Sequence, residues 1–217
     1  MEAFIFDLDG TIIDSLTIAH KCFDEILEKK NLPLIDRNYL FRCMSENIDI
    51  KNILKKHLPE KDESFYDEIA TNIRNSFYSV DYNVPLLPGV REVFEILKKK
   101  SFKIGIATGR QSNPDYEKKR LGFTGLKNFV DALSTGKEVI NKKPEPDVIL
   151  LCCERLEVSP GKCVVIGDSV NDVLAAKKIG SVSVAVTTGI DPKDRIKNVF
   201  PDILIDNLNE LVEKMDG

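Results

Sequence analysis

Hydrophobic residues along the chain form two alternating patterns, short continuous runs and longer stretches with helical spacing. The short runs are nearly uninterrupted, which is typical of strands buried on both faces of a sheet. Because helical patterns separate the runs, the sequence predicts an α/β fold with a parallel sheet covered by helices. The predicted strands are Ala3–Phe6, Lys103–Ala107, Val130–Leu133, Cys163–Ile166, Val182–Val186 and Ile203–Ile205.

Several helices between these strands have recognisable ends. Gly89 precedes a helical face, and Asn113 followed by Pro114 predicts a capped helix start with proline in the first turn. We expect Gly122 to end that helix and Pro146 to open the next one.

The stretch from about Leu16 to Asn83 has no strand pattern and carries only helical faces. It begins just after the first strand and returns through Pro85–Gly89, a stiff segment suited to a linker. The sequence therefore predicts an α/β core domain of residues 1–14 and 84–217 and a helical cap domain of residues 15–83.

Composition narrows the possible partners and compartments. With 31 basic and 35 acidic residues the net charge is -4, and no basic run exceeds Lys98–Lys100, so we expect no nucleic-acid partner. The longest apolar run, Val148–Cys153, is far shorter than the roughly 20 residues that span a bilayer, so we expect no membrane partner. A strand starting at Ala3 leaves no room for a signal peptide, which predicts a cytoplasmic protein. Five cysteines without a C-x-x-C pattern predict reduced, buried thiols.

Chemically informative residues follow the predicted strands. The first strand runs into Asp7–Thr11, the second into Thr108–Arg110, and the fourth into Gly167–Asp172. Lys142–Asp147 lies between the third and fourth strands. Because ligands of open parallel sheets bind outside the carboxyl ends of the strands, these segments predict one site.

In motif order and spacing, essentially the whole chain resembles a haloacid dehalogenase superfamily phosphatase. The resemblance is to the subgroup with a Rossmann-like core and a helical cap inserted after the first strand, and it includes phosphoglycolate phosphatases. It implies a hydrolase that acts on a small phosphorylated metabolite. The G-D-S-x-x-D motif favours 2-phosphoglycolate, while pyrophosphate, nucleotide and sugar phosphates stay open. The sequence does not indicate an oligomeric state.

Asp7 and Asp9 are two positions apart, so on an extended backbone their side chains project from the same face and can converge on one phosphorus atom. The resemblance implies that Asp7 is the nucleophile that forms an aspartyl-phosphate and that Asp9 is the general acid and then base. It further implies that Thr108 and Lys143 bind the transferred phosphoryl group. Lys142 is expected to face solvent.

A carboxylate that attacks a phosphate dianion meets a repulsion of about 4 kcal/mol per charge pair at an effective dielectric near 20. This repulsion calls for a cation, and the oxygen-rich surroundings suit Mg²⁺. By resemblance the metal ligands are Asp7, Asp168 and the backbone carbonyl of Asp9. Asp172 is expected to orient the lysine or a metal-bound water, although Ser169 and Asp172 also form a capping-box pattern.

Substrate contacts are assigned to residues around these motifs. Gly10 and Thr11 fit a tight turn out of the first strand, and Gly109 and Arg110 follow Thr108. A surface position at a helix entrance is the alternative for Arg110. In the cap, Arg42 lies in a predicted loop, residues 42–47, that is the candidate substrate selector, and a solvated arginine is its alternative.

Other activities remain as alternatives. β-Phosphoglucomutase-like phosphoryl transfer would use a histidine on the first cap helix, but its position falls on Ala19, one residue from His20. Haloacid dehalogenases lack the second aspartate of the D-x-D motif, because a departing halide needs no proton. The presence of Asp9 therefore disfavours dehalogenation. A phospho-accepting receiver or binding module also uses acidic strand ends, but the helical insert and the D-x-D motif disfavour it.

Overall fold

The protein is described by a computed structural model that covers residues 1–46 and 48–216. Its sheet has six strands in the order β3-β2-β1-β4-β5-β6, and all neighbouring strands are parallel. The predicted α/β class is therefore confirmed. The strands are β1 Ala3–Phe6, β2 Lys103–Thr108, β3 Ala132–Thr135, β4 Cys163–Gly167, β5 Val182–Val186 and β6 Ile203–Ile205.

The strand predictions differ in accuracy. β1, β5 and β6 have the predicted bounds, and β2 and β4 extend one residue further than predicted. The prediction for β3 was wrong by two residues, because Asp131 binds the backbone N–H of Ile104 through its side chain and the paired strand begins only after it. At the other end, Ser134 is buried and donates to the carbonyl oxygen of Val148 at 2.7 Å, so polar residues continue the strand.

Contacts divide the chain into two units, one of residues 1–14 and 85–217 and one of residues 15–84. The second unit is helical and contains α1 Ser15–Lys29, α2 Arg37–Ser45, α3 Ile50–His57 and α4 Glu63–Val80. Its apolar core includes Leu27, Leu40 and Ile69, which are fully buried. The helical spacing of the sequence thus gives this unit a hydrophobic centre of its own.

The first unit surrounds its sheet with further helices. Phe94 of the helix after Gly89 packs against Phe6 of β1 with ring centroids 4.9 Å apart. These helices are α5 Val90–Lys99, α6 Pro114–Phe123, α7 Asp147–Leu156, α8 Val170–Lys178, α9 Lys193–Lys197 and α10 Leu208–Asp216.

Helix ends follow the sequence signals with one correction. The side chain of Asn113 accepts a hydrogen bond from the backbone N–H of Asp115, so it caps α6 as predicted. Gly122 does not end α6, because it lies inside the last turn. Instead Gly125, two residues beyond the helix, has the positive φ of 75° that a chain reversal requires.

The structure places all five cysteines in buried positions as free thiols. None of the helices in the described ranges is long and apolar enough to cross a membrane.

Candidate active site

Strand register brings the predicted site residues to one edge of the sheet. Phe6 is paired with Ile106 of β2 and Ile166 of β4, so the three strands end within two residues of one another. By the same register Asp7, the first residue after β1, lies one step before Thr108, the last residue of β2, and Asp168, the first residue after β4. Residues more than 150 positions apart in sequence are neighbours here because parallel strands share one carboxyl edge.

Lys143 connects three parts of this edge through its ammonium group. Its Nζ donates to Asp7 Oδ1 at 2.7 Å, to Asp172 Oδ1 at 2.6 Å and to the Ala107 carbonyl oxygen at 2.7 Å. The side chain is only 9% exposed. Burial by itself would lower the pKa of Lys143, but the charges of Asp172 and Asp7 raise it above the usual value, so the group stays protonated. Lys142 is exposed, as predicted.

The carboxylates of the site repel one another. The pKa of Asp7 is raised to about 7, chiefly by burial; the charge of Lys143 opposes this rise, and the charges of Asp172 and Asp9 contribute to it. Burial also raises the pKa of Asp168 well above its usual value, with further increases from Asp7 and Asp172. The site therefore holds a concentration of negative charge that a further cation would relieve.

These residues fit a divalent metal by charge and by donor type. Within residues 1–46 and 48–216, no three side chains of His, Cys, Asp or Glu are grouped as a metal centre. The set expected from the sequence needs only the carboxylates of Asp7 and Asp168 with one main-chain carbonyl. Such oxygen ligands, completed by water, are those that Mg²⁺ prefers.

Asp168 is held firmly in the interior. Thr11 Oγ1 donates to Asp168 Oδ1 at 3.1 Å, and the backbone N–H of Ile190 donates to Asp168 Oδ2 at 2.7 Å. Gly10 approaches closely, and a Cβ atom there would lie 2.6 Å from Asp168 Oδ2. Since Gly10 also has a φ of 74°, both space and backbone conformation favour glycine. Gly10 and Thr11 thus surround a carboxylate of the site.

Asp172 makes contacts of both kinds that the sequence left open, with the helix start and with the lysine. It forms a capping box with Ser169 at the start of α8, and its other oxygen accepts from Lys143. The helix start thereby fixes the carboxylate that in turn fixes the lysine.

Asp9 is engaged by Arg110 in a bidentate ion pair. Arg110 Nε donates to Asp9 Oδ2 at 2.6 Å, and its second terminal nitrogen donates to Asp9 Oδ1 at 2.7 Å. The backbone N–H of Arg110 also donates to Thr108 Oγ1 at 3.2 Å. Arg110 is 16% exposed and therefore does not occupy the solvated surface position that was its alternative.

A buried ion pair on α6 lies behind this contact. Arg120 binds Glu117 at 3.3 Å and lies 3.9 Å from Asp9 Oδ1. Arg110 lies 3.9 Å from Glu117, whose carboxylate also accepts from the Ser112 hydroxyl. Sequence reasoning missed Glu117 and Arg120 because charged residues on a helix usually face solvent.

Gly109 and Arg42 are less closely packed than the site residues described above. A Cβ atom at Gly109 would meet nothing within 4 Å, so space alone does not require glycine there. The predicted loop at residues 42–47 was wrong for its first four positions, because Arg42 to Ser45 form the last turn of α2. Asp36 caps this helix through its side chain, and Arg42 is exposed with its guanidinium over the Tyr39 ring. Asn47 lies outside the described residues.

His20 is fixed within the helical unit. Its Nε2 lies 3.3 Å from the carbonyl oxygen of Ile35 and its Nδ1 lies 3.3 Å from Asp24. His57 Nε2 similarly lies 2.9 Å from the carbonyl oxygen of Pro33. Both rings thus have partners inside the unit.

Sequence reasoning also missed the segment that follows β5. Thr188 Oγ1 donates to the Gly10 carbonyl oxygen at 2.6 Å, and Ile190 binds Asp168 as described above. The signal was present, since Thr187-Thr188-Gly189 follows a buried strand as Asp7 and Asp168 do.

Comparison with known proteins gives a family match over most of the chain. Residues 4–186 match the family model of the haloacid dehalogenase-like hydrolases. The chain belongs to this family. The protein is 27% identical to a phosphoglycolate phosphatase of Nitrosococcus oceani, over 97% of this chain and 94% of the relative. It is 29% identical to hexitol phosphatase B of Escherichia coli, over 98% of this chain and 95% of that one.

Solved structures share the fold. A Haemophilus somnus protein described as a predicted phosphoglycolate phosphatase superimposes with a TM-score of 0.81 at 22% identity. The alignment covers 99% of this chain and 97% of the other. The expectation of a haloacid dehalogenase fold is thus confirmed, and the family member described here is a phosphoric monoester hydrolase.

Proposed function

We propose that this hydrolase cleaves small phosphomonoesters in two steps through a phosphoryl group carried on Asp7. The observation that carries the proposal is the contact of Asp7 with Lys143 at 2.7 Å, at the edge where three parallel strands end together. A buried carboxylate beside a fixed ammonium group provides a nucleophile and a positive charge at one place.

In the first step an oxygen of Asp7 forms a bond to phosphorus while the ester bond from phosphorus to the substrate oxygen breaks. Asp9 gives a proton to the departing oxygen, which leaves as an alcohol. In the second step Asp9 takes a proton from water, the water oxygen attacks phosphorus, and the bond to Asp7 breaks to release phosphate. Lys143 and the Thr108 hydroxyl stabilise the charge on the phosphoryl oxygens.

Mg²⁺ is the cation we propose for this site, held by Asp7, Asp168 and the Asp9 carbonyl. When bound, it would supply positive charge against the repulsion between the Asp7 carboxylate and the phosphate. The carboxylates of Asp7 and Asp168 support this assignment, because burial raises the pKa of both and a bound cation would favour their charged forms.

Arg110 is proposed as a positioning residue for Asp9. Its two hydrogen bonds keep the Asp9 carboxylate in one orientation, and the Arg120–Glu117 pair supports it from α6. A bidentate guanidinium restricts a carboxylate more than a single bond does.

For the substrate we propose 2-phosphoglycolate, on the sequence resemblance and on relatives named as phosphoglycolate phosphatases. Relatives named for hexitol and carbohydrate phosphates make sugar phosphates the comparison class. The core residues described above recognise phosphate and do not distinguish between these classes.

The proposal is tested by phosphate release from 2-phosphoglycolate, hexitol phosphates and hexose phosphates, with Mg²⁺ and with chelator. We expect Mg²⁺-dependent release with the highest kcat/KM for 2-phosphoglycolate, and we expect Asp7→Asn to abolish it. The matched control is Asp115→Asn, since the Asp115 side chain is 88% exposed, and it should retain wild-type turnover. Wild-type turnover in Asp7→Asn would refute the proposal. An isomerised hexose phosphate in place of free phosphate would indicate mutase-type transfer.

A further inference from the structure

The segment Thr188–Asp191, which we term the β5 loop, joins loops from distant parts of the core unit. Thr188 donates to the Gly10 carbonyl oxygen, Ile190 donates to Asp168, and Asp191 accepts from the backbone N–H of Val170 at 2.8 Å. The β5 loop thus contacts the turn after β1 and both ends of the loop between β4 and α8.

Close packing accompanies these hydrogen bonds. A Cβ atom on Gly189 would overlap the carboxylate of Asp168, and a Cβ atom on Gly10 would lie 2.9 Å from the Cα of Gly189. Two glycines therefore allow the β5 loop and the β1 turn to press against the same aspartate. Such contact leaves the Asp168 side chain little freedom to change rotamer.

Each oxygen of Asp168 receives one donor, Oδ1 from Thr11 and Oδ2 from Ile190. An ionised carboxylate offers about four acceptor positions, so two remain for a cation. The two donors follow β1 and β5, the strands on either side of β4, and together they restrict the orientation of the carboxylate. Because Asp168 is 3% exposed, solvent contributes little to its orientation.

We infer that the β5 loop is a positioning element that holds Asp168 ready to bind a divalent cation, with Thr188 as its anchor. Outer partners that orient a metal ligand typically change metal affinity by about 10- to 100-fold when removed. The Thr188 hydroxyl fixes the loop against Gly10, and the fixed loop presents the Ile190 N–H to Asp168. This inference rests on the proposed metal assignment of Asp168.

The test is the Mg²⁺ dissociation constant of the full-length protein, measured by isothermal titration calorimetry without substrate. Thr188→Val keeps the side-chain shape and removes the donor, and we expect it to weaken Mg²⁺ binding by about 10-fold. Thr188→Ser keeps the hydroxyl and should restore wild-type affinity. Thermal melting of each variant checks that it is folded.

The adjacent threonine supplies a matched control. Thr187 Oγ1 donates instead to the carboxylate and carbonyl oxygens of Asp206. Thr187→Val should therefore bind Mg²⁺ as the wild type does. An equal loss of affinity in both valine variants would overturn the inference.

Wild-type affinity in folded Thr188→Val would also overturn it, because the hydroxyl would then serve stability alone. If Thr188→Val does not fold, Thr188→Ala is measured in its place with the same criteria. Wild-type protein that binds no Mg²⁺ would overturn the metal assignment together with the inference. Unchanged affinity in the variant alone would leave the proposed reaction intact.

Discussion

At the scale of single residues, one buried ammonium group is shared between two carboxylates of the site. Lys143 binds two aspartates and a main-chain carbonyl at once, while its neighbour Lys142 is exposed. One position in sequence thus separates a buried ammonium group from a solvated one.

This pair gives a direct comparison. Lys143→Met should lower kcat by about 100-fold or more, because the charge that stabilises the phosphoryl oxygens is removed. Lys142→Met, the matched change at a solvated position, should leave kcat within twofold. Steady-state kinetics at saturating Mg²⁺ measures both, and equal effects would show that position 143 has no special role.

Arg110 was assigned to substrate binding from its place after Thr108, but its guanidinium is bound to Asp9. A positioning role predicts that Arg110→Gln lowers kcat by about 10-fold with little change in KM, since only the acid–base group is disturbed. A substrate clamp predicts a raised KM instead. Kinetics with 2-phosphoglycolate and with a second accepted ester separates the two roles.

At the scale of elements, the outermost strand β3 obtains hydrogen-bond donors from a neighbouring helix, away from the site. Arg155 of α7 donates to the Leu133 carbonyl oxygen of edge strand β3 and to Glu138 at 2.7 Å. The hydrogen bond from Arg155 is the largest of the effects that hold the pKa of Glu138 below its usual value of 4.5. The hydrogen bond from the Thr135 backbone N–H lowers this pKa further.

Because the pKa of Glu138 is lower in the folded protein than in the unfolded chain, its carboxylate stabilises the fold at pH values above the unfolded-state pKa. This contribution is lost as the pH falls through the folded-state pKa. Glu138→Gln should therefore reduce the free energy of unfolding at pH 7. The difference from wild type should shrink as pH falls below about 4.5. Urea unfolding at several pH values tests this, and a difference that does not vary with pH would exclude the ion pair as its source.

Elements buried on both faces were predictable, and those defined by polar contacts were not. β1, β5 and β6 follow from uninterrupted apolar residues. β3 was displaced because the polar Ser134 and Thr135 lie buried within it, held by hydrogen bonds that sequence does not reveal. α2 was taken for a loop in its second half, although Leu40 and Cys43 form a short buried face.

At the scale of the whole molecule, the site was predictable where strand ends define it. Asp7 and Asp168 follow strands, Thr108 ends one, and parallel pairing places them together. The β5 loop and the α6 pair Glu117–Arg120 were missed because their role depends on three-dimensional contact with Asp168 and Asp9. The sequence motifs contain the residues proposed for the chemistry, whereas the residues that position them come from other parts of the fold.

The central claim is that the phosphoryl group is transferred to Asp7. The most direct measurement is mass spectrometry of the acid-quenched Asp9→Asn variant after mixing with Mg²⁺ and p-nitrophenyl phosphate. This ester has a leaving group that needs no proton, so only the hydrolytic step is slowed. We predict one added phosphoryl group on the peptide that contains Asp7, and none after Asp7→Asn is introduced as well. A phosphoryl group on another residue, or continued turnover in the doubly substituted protein, would contradict the account.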